Sequence, residues 1–215
     1  MKYLLSSLFV GLSFLTGYSQ NFQGKLVFSV TYTQVPEKMK GMESMLPQSQ
    51  VMYVKGSKSR VEQQTAGGST IVISDKEAGT STVLTEAMGQ KYKMTFDAES
   101  LKKMIETQGN PKIKYLEGSK EIAGYSCKKA EATMEGMDKP AVFYYTEKIQ
   151  PVGLRGMEKL QLKGMPLEYT IAAQGLTMTM SASEVKSESV DDHLFEIPDG
   201  YMEMPDQMKQ MMGNH

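Results

Sequence analysis

The sequence predicts a mainly β protein with minor α content: a single curved antiparallel sheet of roughly ten strands, wrapped around one or two short helices. Three observations lead there. Segments of alternating polarity recur along most of the 215 residues. The breaks between them, such as "KGSK", "AGGS" and "DKEAG", are short and rich in Gly, Ser or Asp, and such links join antiparallel neighbours, not parallel crossovers. One stretch only, after Asp97, carries the full set of helix signals.

In chain order, the first strand is "GKLVFSVTYT" (24–33). Leu26, Phe28, Val30 and Tyr32 point one way, Lys25, Ser29 and Thr31 the other, which is the period of a half-buried strand. "PEKMKGMESMLP" comes next, between Pro36 and Pro47. Met39, Met42, Met45 and Leu46 recur at three- and four-residue steps, so a short helix or helical loop is expected, weakened by Gly41. Strands then resume at "VMYVKG", "SRVEQQ", "STIVISD", "STVLTEAMG" and "QKYKMTF". The helix after them has Asp97 as its cap, Phe96 and Leu101 at staple positions, and Leu101, Met104 and Ile105 as its buried stripe. Gly109, Asn110 and Pro111 end it.

The second half offers "PKIKYLEG", "YSCKKAEATME", "AVFYYTEK", "MEKLQLKG", "PLEYTIAAQ" and "LTMTMSASEVKS" as further strands. A closing segment from Asp191 is expected to anchor on Leu194, Phe195, Ile197 and Tyr201, with Met208, Met211 and Met212 at helical spacing beyond it. There is no internal repeat and no long Pro- or Ser-rich linker, so one domain is expected over 20–204, followed by a Met-rich tail at 205–215. A transmembrane barrel is the architectural rival. Most strands are shorter than the roughly 9–11 residues that cross a bilayer, and a helix interrupts them.

The N-terminus, "MKYLLSSLFVGLSFLTGYSQ", has a basic start, an apolar run over Tyr3–Leu15 and small residues before Gln20. That is the pattern of a secretory signal peptide over 1–19, cut near Ser19, and it is too short for a membrane span. No cysteine lies near the cut, so a lipid anchor is not expected. The mature chain is read as periplasmic or secreted.

Twenty-four Lys and Arg stand against 25 Asp and Glu, a net charge of −1. Near-neutrality argues against nucleic acid, whose affinity comes from clustered basic residues. Catalysis is equally short of means. The chain has two histidines, His193 and His215, and one cysteine, Cys127, and nothing in their spacing joins them. No nucleophile elbow, zinc-protease, phosphate-loop or dinucleotide motif is present. No enzymatic reaction and no cofactor are expected. "DDH" (191–193) reads as a turn with Asp capping the next few residues, because three adjacent residues cannot share one metal on a strand. An unpaired thiol that persists in an oxidising compartment is one that is buried, so Cys127 is read as a small core residue.

Methionine is the unusual count: nineteen residues, with no Trp. Thioethers fill irregular apolar space without dictating its shape. They are also soft ligands for Cu(I), and Met178 with Met180, and Met202 with Met204, would share faces on extended chain. Cavity lining is the leading reading and copper binding the alternative. A third is a structural or partner-binding module with a filled core.

"VMYVKGSKSRVE", "KEIAGYSCKKAEA" and "HLFEIPDGYMEM", in that order behind a signal peptide, resemble an uncharacterised family of secreted bacterial proteins, domain of unknown function family 4412. "I-x-G-Y-x-C-x-K" (122–129) is the most specific part, and the resemblance spans most of 23–204. A fainter similarity is to the LolA-like periplasmic lipoprotein and lipid carriers. It implies a half-barrel whose sheet closes over an apolar cavity plugged by helices, and it implies no catalytic residue. The candidate lining is then Phe28, Val30, Met39, Met42, Met45, Leu46, Leu101, Met104, Ile105, Met178 and Met180, with a lipid or acyl chain as the partner. At about 0.8 kcal/mol per buried methylene, one acyl chain supplies roughly 10 kcal/mol gross, before association costs of several kcal/mol.

Overall fold

The computed structural model describes residues 22–107, 109–153 and 158–206. The expected leader at 1–19 and Met208, Met211 and Met212 of the expected tail lie outside the described residues. The strands are β1 (Gln23–Gln34), β2 (Ser49–Lys55), β3 (Lys58–Thr65), β4 (Gly68–Asp75), β5 (Thr80–Ala87) and β6 (Gln90–Phe96). After the helix α1 (Ala98–Thr107) come β7 (Lys112–Ile122), β8 (Tyr125–Thr133), β9 (Ala141–Thr146), β10 (Met165–Ala173), β11 (Leu176–Ser187) and β12 (Met202–Glu203). All twelve form one sheet in the order β12-β6-β5-β4-β3-β2-β1-β11-β10-β9-β8-β7. Every neighbouring pair is antiparallel except β12 with β6, which is parallel. Twelve strands stand where roughly ten were expected. β12 is two residues long, too short for any alternation to betray it.

Three hairpins turn on two residues that both have positive φ: Met88-Gly89 (52° and 75°), Ala123-Gly124 (47° and 80°) and Gln174-Gly175 (51° and 75°). That is the turn whose twist matches the flanking strands. The sheet curls as it goes. β8, β9 and β10 lie between β7 and β11, which would hold them about 19 Å apart in a flat sheet, yet their Cα atoms approach within 8 Å. Register shifts in the β1–β11, β9–β10 and β7–β8 ladders supply local bends, as bulges do. The outcome is an unclosed, curved sheet consistent with a LolA-like half-barrel.

The inner face of this curl carries the main core. Leu26, Phe28 and Val30 of β1 and Met52 and Val54 of β2 are buried with Ala130, Phe143, Tyr145, Tyr169 and Met180. Phe143 stacks on Tyr169 with ring centroids 5.9 Å apart. The Tyr169 hydroxyl donates to Met180 Sδ at 2.7 Å, and burial pushes that phenol up to about 12.

The connection from β9 to β10 folds back onto this face as a plug. Ile149, Leu160 and Leu162 are buried in it, and Met165 N–H donates to Ile149 O at 2.9 Å. Gly153 lies so close that a β-carbon there would sit 2.9 Å from Ser59 Oγ and 3.1 Å from Met52 Cε. This corrects the reading of "MEKLQLKG" as a strand. Leu160 and Leu162 do point inward, but Glu158–Leu160 is a 3-10 turn and Gln161 has φ of 43°, so no ladder forms.

The Met39–Leu46 segment also differs in detail. It is two 3-10 turns, Glu37–Met39 and Glu43–Met45, split at Gly41, whose φ of 80° no helix accommodates. α1 begins as expected, with Asp97 Oδ1 accepting from Ser100 N–H at 2.8 Å. It packs on β5 and β6, and its far end meets the plug where Lys159 Nζ donates to Glu106 O at 3.4 Å. α1 therefore lies over the inner face.

On the outer face, residues 188–204 form a strap that runs from β1 to β6. Glu188 N–H donates to Gln23 O, Lys55 pairs with Asp192 at 2.9 Å, and Arg60 Nη1 donates to Leu194 O at 2.9 Å. Met204 N–H reaches Lys93 O at 2.9 Å. Outer-face Ile73 and Leu84 are buried, as are the strap's Val190 and Met204. Of the expected anchors, Leu194, Phe195 and Tyr201 are half-buried and Ile197 is exposed.

At the β4–β5 turn, burial tends to raise the Asp75 carboxyl, but hydrogen bonds from Ala78 N–H, the Ser57 hydroxyl and Glu77 N–H outweigh it and hold the group below its ordinary value. A depressed carboxyl stabilises the fold above its unfolded pKa, and that contribution is lost as pH falls through the folded one. Asp75→Asn is expected to flatten the acid limb of the stability curve below about pH 4, measured by urea titrations across pH. An unchanged acid limb would contradict this role.

Candidate ligand-binding face

The N-terminal half of the inner face differs from the C-terminal half. Register pairs Leu26 with Met52, Met52 with Val61, Val61 with Val72, Val72 with Val83 and Val83 with Met94. These six side chains form one apolar rung across β1 to β6. Leu26 and Met52 belong to the sealed core, and Val83 is buried, but Val61, Val72 and Met94 are only half-buried.

On β3 to β5 the rungs on either side are polar, and at β6 they end on Tyr92 and Phe96. One holds Gln50, Gln63, Thr70 and Thr85, where Gln63 Nε2 donates to Gln50 Oε1 at 2.8 Å. The other holds Ser59, Ser74 and Ser81, with the Ser74 and Ser81 hydroxyls 2.9 Å apart. Above β5 and β6, α1 turns half-buried Leu101 and Ile105 toward the sheet, while Lys102, Lys103 and Met104 face solvent. The arrangement is a narrow greasy track between hydroxyl and amide borders, roofed at one end by a helix. It has the means to hold a slender apolar chain.

The structure distributes the residues expected to line a cavity among several places. Phe28 and Val30 are buried in the core at 2 % and 4 % exposure, and Met180 at 3 %. Met178 is half-buried in register between Tyr32 and Ile171. Met39 and Leu46 are half-buried, whereas Met42 and Met45 are 48 % and 50 % exposed. On α1, Leu101 and Ile105 are half-buried and Met104 is 39 % exposed. Val61, Val72, Val83 and Met94 were not singled out from the sequence. Their signal is a spacing of eleven residues, which hairpins of equal arms convert into one rung.

The copper alternative needs Met178, Met180, Met202 and Met204 together. The structure does not bring them together: β6, β5, β4, β3, β2 and β1 lie between β12 and β11. Met202 is 53 % exposed while Met204 is 2 % exposed, so even that pair parts company. Among the described residues no three His, Cys, Asp or Glu side chains converge on a metal position. "DDH" is the capped turn, with Asp191 Oδ1 accepting from His193 N–H at 3.1 Å and Asp192–Phe195 a 3-10 turn.

Cys127 is buried at 0 % exposure. It pairs in register with Lys120, whose ammonium reaches both Glu168 oxygens at 2.8 Å and lies 5.5 Å from the Tyr144 ring. Burial, and then the Glu168 charge, push the thiol up to about 11. His193 lies on the strap near β3, and among the described residues no imidazole lies beside this sulfur. Iodoacetamide at pH 8 is expected to label native Cys127 about 10²-fold more slowly than the unfolded chain; equal rates would show the thiol to be open.

No protein-family model and no curated protein matches the sequence, and family 4412 therefore remains what the residues resemble. Solved structures do share the shape. PNGF-II, in its P21 and C2 crystal forms, aligns with TM-scores of 0.55 and 0.54 at 13 % identity, over 90 % of this chain. The chain spans about a third of PNGF-II, 34 % and 33 % in the two forms. The Mycobacterium tuberculosis lipoprotein LppX aligns over 79 % of this chain and 89 % of its own, at 13 % identity and a TM-score of 0.42. LprF from Mycobacterium bovis aligns over 78 % and 88 %, at 10 % identity and 0.32. At such identities the likeness to PNGF-II is one of fold, and scores below 0.5 are no ground for a shared ligand. Among the described residues no helix is long and apolar enough to cross a membrane.

Proposed function

We propose that this chain is an exported, non-enzymatic binding protein that takes a lipid or lipoprotein acyl chain on the inner face of its half-barrel. In this reading 1–19 is a leader cut near Ser19, 20–204 is one β-rich domain without lipid anchor or cofactor, and 205–215 is a tail. The observation that supports the reading best is the apolar rung Val61–Val72–Val83–Met94, in which Val83 is buried but Val61, Val72 and Met94 are only half-buried. Its four strands span about 14 Å. On the order of ten methylenes lying along it are worth roughly 8 kcal/mol gross, and Leu101 and Ile105 of α1 add contact from above. The flanking hydroxyls and amides keep the free face wettable, so an empty track costs little.

Delipidated protein tests this. Uptake of one equivalent of a fatty acid or phospholipid, and a lipid adduct in native mass spectrometry of protein taken from its own cell envelope, are the expected results. A copper adduct would contradict them. A bare mass would favour a second reading, a structural or partner-binding module, which the plug's filling of the C-terminal half independently favours.

A further inference from the structure

Charge separates the two faces of β3 to β6. Taken at every second residue from Ser59, Gly68, Ser81 and Gln90, the inner positions of these strands carry no Asp, Glu, Lys or Arg. The charge of the same strands, from Lys58, Arg60 and Glu62 on β3 to Lys91 and Lys93 on β6, alternates to the outer side. Charged side chains are the ordinary occupants of water-facing positions, yet inner-face Gln63, Thr70, Thr85 and Tyr92 are only half-buried and all neutral. Above the face, the charges of α1 are spent on one another, with Lys103 on Glu99 at 2.8 Å and Lys102 on Glu106 at 3.9 Å. Lys159 of the plug is turned onto Glu106 O.

The two polar borders of the apolar rung differ in what they leave open. The Ser74 and Ser81 hydroxyls serve each other at 2.9 Å. On the other border Gln63 Nε2 donates to Gln50 Oε1 at 2.8 Å, and an amide pair bonded once keeps one carbonyl and one amino group in hand. Thr70 is in register with Gln63 and Thr85 with Thr70, and each adds a hydroxyl. The row Gln50–Gln63–Thr70–Thr85 is therefore a line of neutral donors and acceptors, running beside the rung and about 7 Å from it.

We propose that this row seats the head of the ligand, and that the head is uncharged, an ester- and hydroxyl-bearing group of the acylglycerol kind. The proposal deepens the carrier reading and rests on it. With the acyl chain on Val61, Val72 and Val83, ester carbonyls accept from the Gln50 amino group and the threonine hydroxyls, and a head hydroxyl donates to the Gln63 carbonyl. An ionised carboxylate or phosphate in the same place gives up water and meets no cation, which is the costly way to bury a charge.

The experiment titrates the delipidated full chain at pH 8, by calorimetry, with two probes of equal chain, monolauroylglycerol and laurate. Monolauroylglycerol is expected to bind about tenfold more tightly. Thr70→Lys puts a cation on the row and is expected to abolish the preference by raising laurate affinity, whereas Thr31→Lys, on the outer side of β1, keeps it. Thr85→Lys makes the same test if Thr70→Lys fails to fold. Laurate bound as tightly as monolauroylglycerol by the parent overturns the neutral head and leaves the carrier reading standing. A preference unaltered in a folded lysine variant overturns the row as its seat. Binding of neither probe overturns the carrier reading and this proposal with it.

Discussion

Phe143→Ala is expected to lower the free energy of unfolding by about 3–5 kcal/mol, the largest loss of any single truncation in the inner core. Phe143 is fully buried and stacks on Tyr169. Its register partner on the other side is Ala130, and Ala132 and Ala141 lie one rung along. Small neighbours have no side chain to swing into the space, so the cavity persists and its cost adds to the lost transfer energy. The plug, which holds Ile149, Leu160 and Leu162 in the same core, closes the site to water. For a chain of this size the melting temperature falls by roughly 10 °C, read by circular dichroism. Met178→Ala, half-buried near the rim, is expected to cost well under half as much. Equal losses would mean that the two ends of the inner face are packed alike.

Val72→Glu is expected to weaken acyl-chain binding by more than about 100-fold while leaving the fold intact. Val72 sits at the middle of the half-open rung, between Val61 and Val83. A carboxylate there stays hydrated in the free protein because the face is open. It must lose that hydration when a chain lies across it, at a cost of several kcal/mol. Val72→Leu keeps the rung apolar and is expected to bind like the parent, and Thr31→Glu, on the exposed outer side of β1, is expected to be neutral. Titration with a fluorescent fatty acid measures all three. Undiminished binding by Val72→Glu would remove the rung from the ligand's path.

Much of the sheet was legible because half-buried strands write their faces into the sequence; Leu26, Phe28, Val30 and Tyr32 are enough to place β1. Cys127 was legible for a chemical reason, since a lone cysteine in an alternating strand behaves as a small hydrophobe, and it is buried at 0 % exposure. The plug was not. Leu160 and Leu162 alternate like a strand, and only the backbone at Gln161 separates a plug from a ladder. Methionine gave the weakest signal of all. The same flexible side chain is sealed at Met165 and Met180 and wholly exposed at Met88, and neither composition nor spacing tells these apart. The rung needed register, which a run of short strands does not reveal until the turns are known. The LolA-like resemblance pointed to helices as the plug, whereas here a loop does that work and α1 packs over β5 and β6.

A fatty acid carrying a photoreactive group on its chain, bound to delipidated protein, irradiated and mapped by peptide mass spectrometry, tests the site itself. Labels on β3 to β6 at Val61, Val72, Val83 or Met94, and on α1 at Leu101 or Ile105, are the predicted result. Labels confined to the strap on the outer face, or no label at saturating ligand, would contradict it.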